Sequence, residues 1–214
     1  MPLREYLRLL HVPTTSSLLA IALLGSAAAP VLHVDRLLSL FLQLFLMGGV
    51  AANYFDELMG RPWHTTISRS RLWIIGFTAL AASSVLGLFF AVTVAPEYAL
   101  FVAFWAFFTV AYDLELFHGR LHNTPALAVS WGSVCLGSYY LHSRTITPYS
   151  LLIAAILGGI AGQGRDLYED AKPYSKDGIT SSPPSTKRAY TLLKGSIACI
   201  DFIAVLMVVY RLTR

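Results

Sequence analysis

Leu72–Ala95 reads LWIIGFTALAASSVLGLFFAVTVA, a stretch of 24 residues without one charged side chain, closed by Arg71 on one side and Pro96 on the other. About 20 apolar residues in an α-helix rise far enough to cross the hydrocarbon layer of a bilayer. A soluble core of this size has no need of so long an uninterrupted run. Outward from it, six further apolar segments follow the same pattern: Thr14–Leu32, Leu37–Phe55, Glu97–Tyr112, Pro125–Leu141, Thr147–Gln163 and Tyr190–Tyr210. Pro96 separates the third from the short fourth, because a continuous helix tolerates proline poorly. The fold expected is therefore all-α, a polytopic transmembrane bundle of about seven helices, forming a single domain over residues 1–214.

Composition agrees. Hydrophobic residues make up 56% of the chain and charged ones 13%, against about a quarter charged in soluble domains. Met1–Pro13 is polar and basic, but no small-residue cleavage site precedes Pro30, so the first apolar run reads as a spanning helix rather than a signal peptide. Cys135 and Cys199 lie within apolar segments with no His/Cys cluster beside them. They read as buried small hydrophobes.

A net charge of +4 does not point to nucleic acid, because the charges sit in short loops between apolar runs. With the N-terminus in the cytoplasm, Arg36, Arg144, Arg211 and Arg214 fall on the outer side, and the other twelve of the sixteen Lys and Arg residues fall inside. The positive-inside rule favours this orientation. The acidic residues follow the same bias, although carboxylates contribute little to orientation. Asp56, Glu57, Asp113, Glu115, Asp166, Glu169, Asp170 and Asp177 all lie on the cytoplasmic side.

Three polar segments share that face. In the first, Asn53, Asp56, Glu57 and Gly60 recur at helical spacings of three and four, which lets Asn53 share a face with either carboxylate. Oxygen ligands of this kind suit Mg²⁺. The alternative is a helix end whose carboxylates pair with Arg61 in headgroup water. The second runs from Tyr112 to Asn123 and holds Asp113, Glu115, His118, Arg120 and His122 around Gly119. The zinc-protease HExxH pattern is absent, and Arg120 is a candidate phosphate clamp. In the third, Asp166 and Asp170 stand four apart, so that on a helix both face one way, flanked by Arg165, Lys172 and Lys176. Acid pairs bracketed by bases match a metal-bridged diphosphate. A solvated charged loop is the alternative. Asp201 stands alone within the last apolar run, where an ionised carboxylate is expensive and is expected to be paired or protonated.

With these segments in place, the chain resembles the UbiA superfamily of intramembrane prenyltransferases. That family carries two aspartate-rich segments, after its second and sixth helices. Here the matching stretches are Asn53-Tyr54-Phe55-Asp56-Glu57 and Asp166-Leu167-Tyr168-Glu169-Asp170. The entry Arg8-Leu9-Leu10-His11-Val12-Pro13 and Tyr112 also fall at family positions. The chain departs from the family where Ala52, Asn53 and Gly60 stand in place of an Asn and two Asp residues, and in having room for seven helices rather than nine.

The resemblance implies a Mg²⁺-dependent enzyme that moves a prenyl group from a polyprenyl diphosphate to a hydrophobic aromatic or lipid acceptor. Asp56, Asp166 and Asp170 are the implied catalytic residues, with Asn53 and Glu57 joining them at the metal. Arg61, Tyr112, Arg120, Arg165 and Lys172 are the implied substrate contacts, and Tyr54, Phe55, Tyr112 and Phe117 the shield around the allylic cation. The site would face the cytoplasm from within a multi-pass membrane protein. A UbiA-type terpene cyclase and a non-catalytic prenyl-lipid binding or transport protein stay open. An alcohol phosphotransferase lacks support, because its Asp-Gly-x-x-Ala-Arg pattern is missing.

Overall fold

The computed structural model describes residues 3–60, 62–177 and 184–213, with side chains described except at 170–177 and 184–187. Among the described residues all regular structure is helical. The elements are α1 (Leu3–Arg8), α2 (Val12–Ala28), α3 (Val34–Leu44), a π-helical turn (Phe45–Ala52), α4 (Asn53–Met59), α5 (Arg69–Thr93), α6 (Tyr98–Asp113), α7 (Thr124–Ser143), α8 (Pro148–Asp177) and α9 (Pro184–Leu212). Val34–Met59, Arg69–Thr93 and Arg188–Leu212 are long and apolar enough to cross a membrane, and Val12–Ala28 and Tyr98–Asp113 are apolar but shorter.

Local chemistry sets the helix ends. Asn123 caps α7 by accepting from Ala126 N–H at 2.9 Å, with Pro125 in the first turn. Thr147 and Ser150 form a reciprocal box before α8, each side-chain oxygen accepting the other's backbone N–H. At the end of the bundle that carries this α7–α8 turn, Arg36 donates to Leu141 O and Arg211 to Ala29 O and Pro30 O. These cations satisfy carbonyls at helix C-termini, where positive charge is favoured.

Three expectations need correction. The third polar segment is not a loop: α8 continues without a break to Asp177, because nothing between Gln163 and Lys172 stops a helix. Likewise α9 starts at Pro184, ahead of the expected Tyr190, with proline at the helix opening. Cys199 is exposed on α9, whereas Cys135 is buried as expected. The second apolar segment is one helical rod, interrupted by the π turn at Phe45–Ala52. Wide turns of this kind release carbonyls from the regular ladder, and Asn53 Nδ2 donates to Gly48 O at 3.1 Å and to Gly49 O at 2.9 Å.

Helices α2, α7, α8 and α9 pack together, and α5 packs on the π turn, α4 and α6. Glycines allow the closest approaches. A Cβ at Gly25 of α2 would lie 2.3 Å from Cys135 O of α7, and one at Gly158 of α8 would lie 2.3 Å from Ala128 O. Small residues at helix crossings bring backbones together in this way. Between α3, α5 and α6, Tyr98 donates to Gln43 Oε1 and Ser83 to Gln43 O. Asp201 of α9 lies near Ser16 of α2, but among the described residues its Oδ1 is buried without a hydrogen-bond partner, so the pairing expected for a carboxylate in an apolar run is incomplete. Outside the bundle, large apolar side chains are bare, with Val92 86% and Leu100 72% exposed.

Gly158→Ala is expected to lower the unfolding midpoint in detergent, by about 1–3 kcal/mol of overpacking. Gly159→Ala, whose Cβ would meet nothing within 4 Å, is expected to be neutral or to gain a few tenths of a kcal/mol of helix propensity, at most about 1. Equal behaviour of the two variants would contradict the packing described.

Candidate functional site

A cavity of about 920 Å³ lies between α2, the π turn, α4, α6, α7, α8 and α9. Its walls differ by depth. Leu18, Ile21, Leu44, Met47, Leu127 and Val134 make an apolar floor, with Trp105, Phe108 and Trp131 beside them. The ionisable residues Asp56, Asp113, Glu115, Arg165, Glu169 and Lys194 and the rings of His11, Trp63, Tyr112 and Tyr168 also line it. The chain thus brings parts of all three polar segments to one opening.

Asn53 and Asp56 are one helical turn apart on α4 and line the cavity together. Asp56 acts electrostatically on Tyr112, Asp113 and Tyr168, and so faces both α6 and α8. Glu57 points elsewhere. It is fully buried, and its carboxylate accepts from Trp63 N–H at 3.0 Å, Thr65 N–H at 2.7 Å and Thr65 Oγ1 at 2.8 Å. Expected at a metal, Glu57 instead pins the segment that carries Trp63 into the cavity, because its position lies about 100° round the helix from Asp56. Glu5 fastens the neighbouring Thr66 through its N–H and hydroxyl.

Arg165 is the most heavily engaged of the expected substrate contacts. Its side chain is 19% exposed. Nε donates to Tyr112 Oη at 2.7 Å, Nη1 to Thr124 Oγ1 at 3.1 Å and Nη2 to His122 O at 3.2 Å. All three acceptors are neutral. Among the described residues the carboxylate oxygen nearest in charge contact is Asp166 Oδ1, at 4.0 Å. A guanidinium held in this way keeps most of its charge for an anion in the cavity. Tyr112 is fixed further by stacking on His122 at 4.4 Å, while His122 Nδ1–H donates to Tyr112 O at 3.0 Å.

Other expected residues sit away from the cavity. Asp166 is 61% exposed and accepts from Thr124 Oγ1 at 2.5 Å, so it braces α8 against α7. Arg120 is exposed in the 114–123 loop, where Glu115, Phe117, His118 and Gly119 all have positive φ. Phe117 is 57% exposed, and Phe55 is buried against Trp73 and Phe77, so neither belongs to the aromatic lining. Tyr54, also buried, is likewise outside it. Arg61 lies outside the described residues, as do the side chains of Asp170 and Lys172.

The cavity has members that motif spacing did not single out as site residues. Asp113 is buried next to Asp56, and Glu169 and Lys194 line the same opening. Trp105 and Trp131 had no motif signal, since aromatics in apolar runs read as core; Trp63 lies in a short polar loop, and His11 was noted only within the Arg8–Pro13 entry. Among the described residues no group of three or more His, Cys, Asp or Glu side chains gathers closely enough to enclose a metal. The donor set fits Mg²⁺ in a narrower sense. Two mutually repelling carboxylates, Asp56 and Asp113, are the number this ion takes from protein when phosphate oxygens and waters complete its octahedron.

Glu57→Ala would strand two backbone N–H groups and a hydroxyl. It is expected to cost roughly 3 kcal/mol or more, by the worth of hydrogen bonds to a charged acceptor, and to speed proteolysis between residues 60 and 69. Glu57→Gln keeps one acceptor oxygen and is expected to fall between Ala and wild type. Thermal unfolding in detergent with limited trypsin cleavage measures both.

No family model matches this chain, and no curated protein or solved structure matches it either, so the likeness to the UbiA superfamily rests on the residues quoted above.

Proposed function

We propose that the chain is a multi-pass membrane protein, a UbiA-type prenyltransferase that uses Mg²⁺ to transfer a prenyl group from a polyprenyl diphosphate to a hydrophobic acceptor. The observation that carries this reading is the cavity itself. One space joins an apolar floor to a group that pairs two carboxylates with a largely buried guanidinium held by neutral atoms. An isoprenoid diphosphate has the same division into a long apolar tail and a compact polyanion. Apolar helices and bare apolar side chains on the outside support residence in lipid. The Lys and Arg distribution supports a cytoplasmic N-terminus, with the opening on the cytoplasmic side.

In this reading Asp56 and Asp113 hold the metal, with the Asn53 amide beside them. Bound by these residues, Mg²⁺ would supply positive charge to a diphosphate leaving group. Arg165 donates to the leaving diphosphate from a fixed position, so little reorganisation accompanies the charge that develops there. Tyr112 and Thr124 hold that guanidinium in place. Trp105, Phe108 and Trp131 exclude water from the cation and present their ring faces to it. Asp170 and Lys172, implied by the resemblance, follow Glu169 on α8 and come up for test with the rest. A non-catalytic binder of prenyl lipids is the second reading, favoured by Ala52 and Gly60 at positions where the family has ligands.

Purified protein in detergent is expected to release diphosphate from farnesyl or geranylgeranyl diphosphate only with Mg²⁺ and an acceptor. Asp56→Asn and Asp113→Asn are each expected to lower release by about 10²–10³-fold, the range for loss of one preorganised electrostatic partner. Asp166→Asn, exposed and engaged with Thr124, is expected to stay near the wild-type rate, and Asp170→Asn decides whether the end of α8 reaches the metal. Binding without release would assign the chain to the carrier class. Failure of wild type to bind either diphosphate would remove the proposal.

A further inference from the structure

The short helix α1 has the side chains of a boundary between oil and water. Its inner side, Glu5 and Tyr6, turns toward the chain at residues 66–71. There Glu5 accepts from Thr66 N–H at 2.9 Å, and Arg71 Nη1 donates to Tyr6 Oη at 3.5 Å. Its outer side carries two chemistries. Leu3 and Leu7 are 69% and 54% exposed, and Arg4 and Arg8, each one residue further on, are exposed as well. Residues four apart on a helix lie above one another, so α1 shows an apolar stripe beside a basic one. Water favours only the basic stripe. A lipid surface favours both, because leucines reach the acyl boundary while arginines stay at the phosphates.

Two more arginines stand at the same rim. Arg69 and Arg71 open α5 where α1 touches the chain, and both are exposed. Among the described residues none of Arg4, Arg8 and Arg69 has a carboxylate partner. Glu5, the acid nearest in sequence, is engaged with Thr66. The level of the bilayer is marked independently. Trp73, one turn along α5 from Arg69, is 38% exposed and stacks at 5.1 Å on Phe77, itself 44% exposed. Further along the helix Val85, Phe89 and Val92 are bare. Tryptophan prefers the headgroup boundary and apolar side chains the hydrocarbon below it, so the arginines stand at the depth of the phosphates.

We propose that Arg4, Arg8, Arg69 and Arg71 form a binding site for the headgroups of anionic phospholipid in the surrounding leaflet, with Leu3 and Leu7 set into its acyl boundary. This rests on the membrane reading above and is independent of the prenyl-diphosphate reading. Basic residues clustered at a membrane boundary, partly on an amphipathic helix, are what anionic lipid recognises. The site also reaches the cavity. Glu5 fastens Thr66, and Trp63, which lines the opening, lies three residues before it. In the other direction α1 runs through the fully buried Leu9 into α2, whose Thr14 lines the same opening. Lipid held by α1 therefore steadies two pieces of the cavity wall at once.

The test uses full-length protein in detergent, titrated with phosphatidylglycerol or phosphatidylcholine, with bound lipid measured by mass spectrometry. Wild type is expected to prefer phosphatidylglycerol and to lose that preference as salt rises, since the attraction is screened. Replacing both Arg4→Gln and Arg8→Gln is expected to weaken phosphatidylglycerol binding about 25-fold, at about fivefold for each arginine. Arg188→Gln, exposed on α9, removes a charge elsewhere and is expected to leave binding unchanged. Chymotrypsin reads the link to the cavity. Cleavage after Trp63 is expected to slow when phosphatidylglycerol binds wild type. Glu5→Ala is expected to bind the lipid like wild type, with cleavage fast whether lipid is present or not. Equal binding of both lipids by wild type overturns the site, as does wild-type affinity in the Arg4/Arg8 variant or a matching fall in Arg188→Gln. Lipid-slowed cleavage in Glu5→Ala overturns the link to the cavity. Flotation of wild type with phosphatidylcholine vesicles after an alkaline wash checks the membrane reading separately. Failure to float brings both down, and flotation without headgroup preference overturns this inference alone.

Discussion

Everything about the site depends on how closely α2 and α8 approach α7, at contacts about two turns apart along α7. Backbone carbonyls of α7 lie where a Cβ at Gly25 or Gly158 would stand, so α2 and α8 are pressed against α7 with no side chain between them. Rigid helices that touch at one level diverge away from it. Above the Gly25–Cys135 contact, the first half of α2 and the start of α7 separate and become two walls of the cavity. The cavity is the space left by a pinch, and no ring of bulky residues holds it open. Its depth is fixed by where the glycines fall.

A second layer of restraint works at the opening, and it is polar. Glu57 and Glu5 hold the segment around Trp63 to Thr66, and Arg165 ties α8 to Tyr112 of α6 and to the start of α7. The bonds of Glu5 and Arg165 join elements far apart in sequence, so they carry part of the positional accuracy of a site that no single element contains. Asp166 and Thr124 extend the same network outward. A charged group engaged in this way serves the site by positioning others, as Asp166 and Glu57 do.

The helices were legible because apolar runs and their breaks are written in composition: all seven expected segments overlap helices, and Pro96 marks a boundary. The end of α8 was harder to read. Charge density alone cannot separate a solvated loop from a helix that leaves the apolar core and goes on. The general location of the site was legible too, from carboxylates and bases biased to one side. Which of them face inward was not. Helical spacing puts both Asp56 and Glu57 near Asn53 and cannot choose between them, because the choice depends on a loop that folds back from residues 63–65. Asp113 carried no spacing signal, since its partner lies in another helix. The tryptophans carried no spacing signal, and His11 stood in the Arg8–Pro13 entry without a role of its own.

The π turn at Phe45–Ala52 sets the rotation of α4 that the 63–65 loop then meets, with a consequence for how the site tolerates change in chain length. One residue more than an α-helix would need is stored there, with its spare carbonyls taken up by Asn53. Loss of one residue from this stretch would let the rod close into a regular helix and turn everything after it by about 100°. Asp56 would swing out of the cavity and a neighbour would take its place. Substitutions along the rod are forgiven or punished one at a time, but a shift in length exchanges the functions of whole faces. The wide turn is therefore the gear that sets which carboxylate faces the cavity.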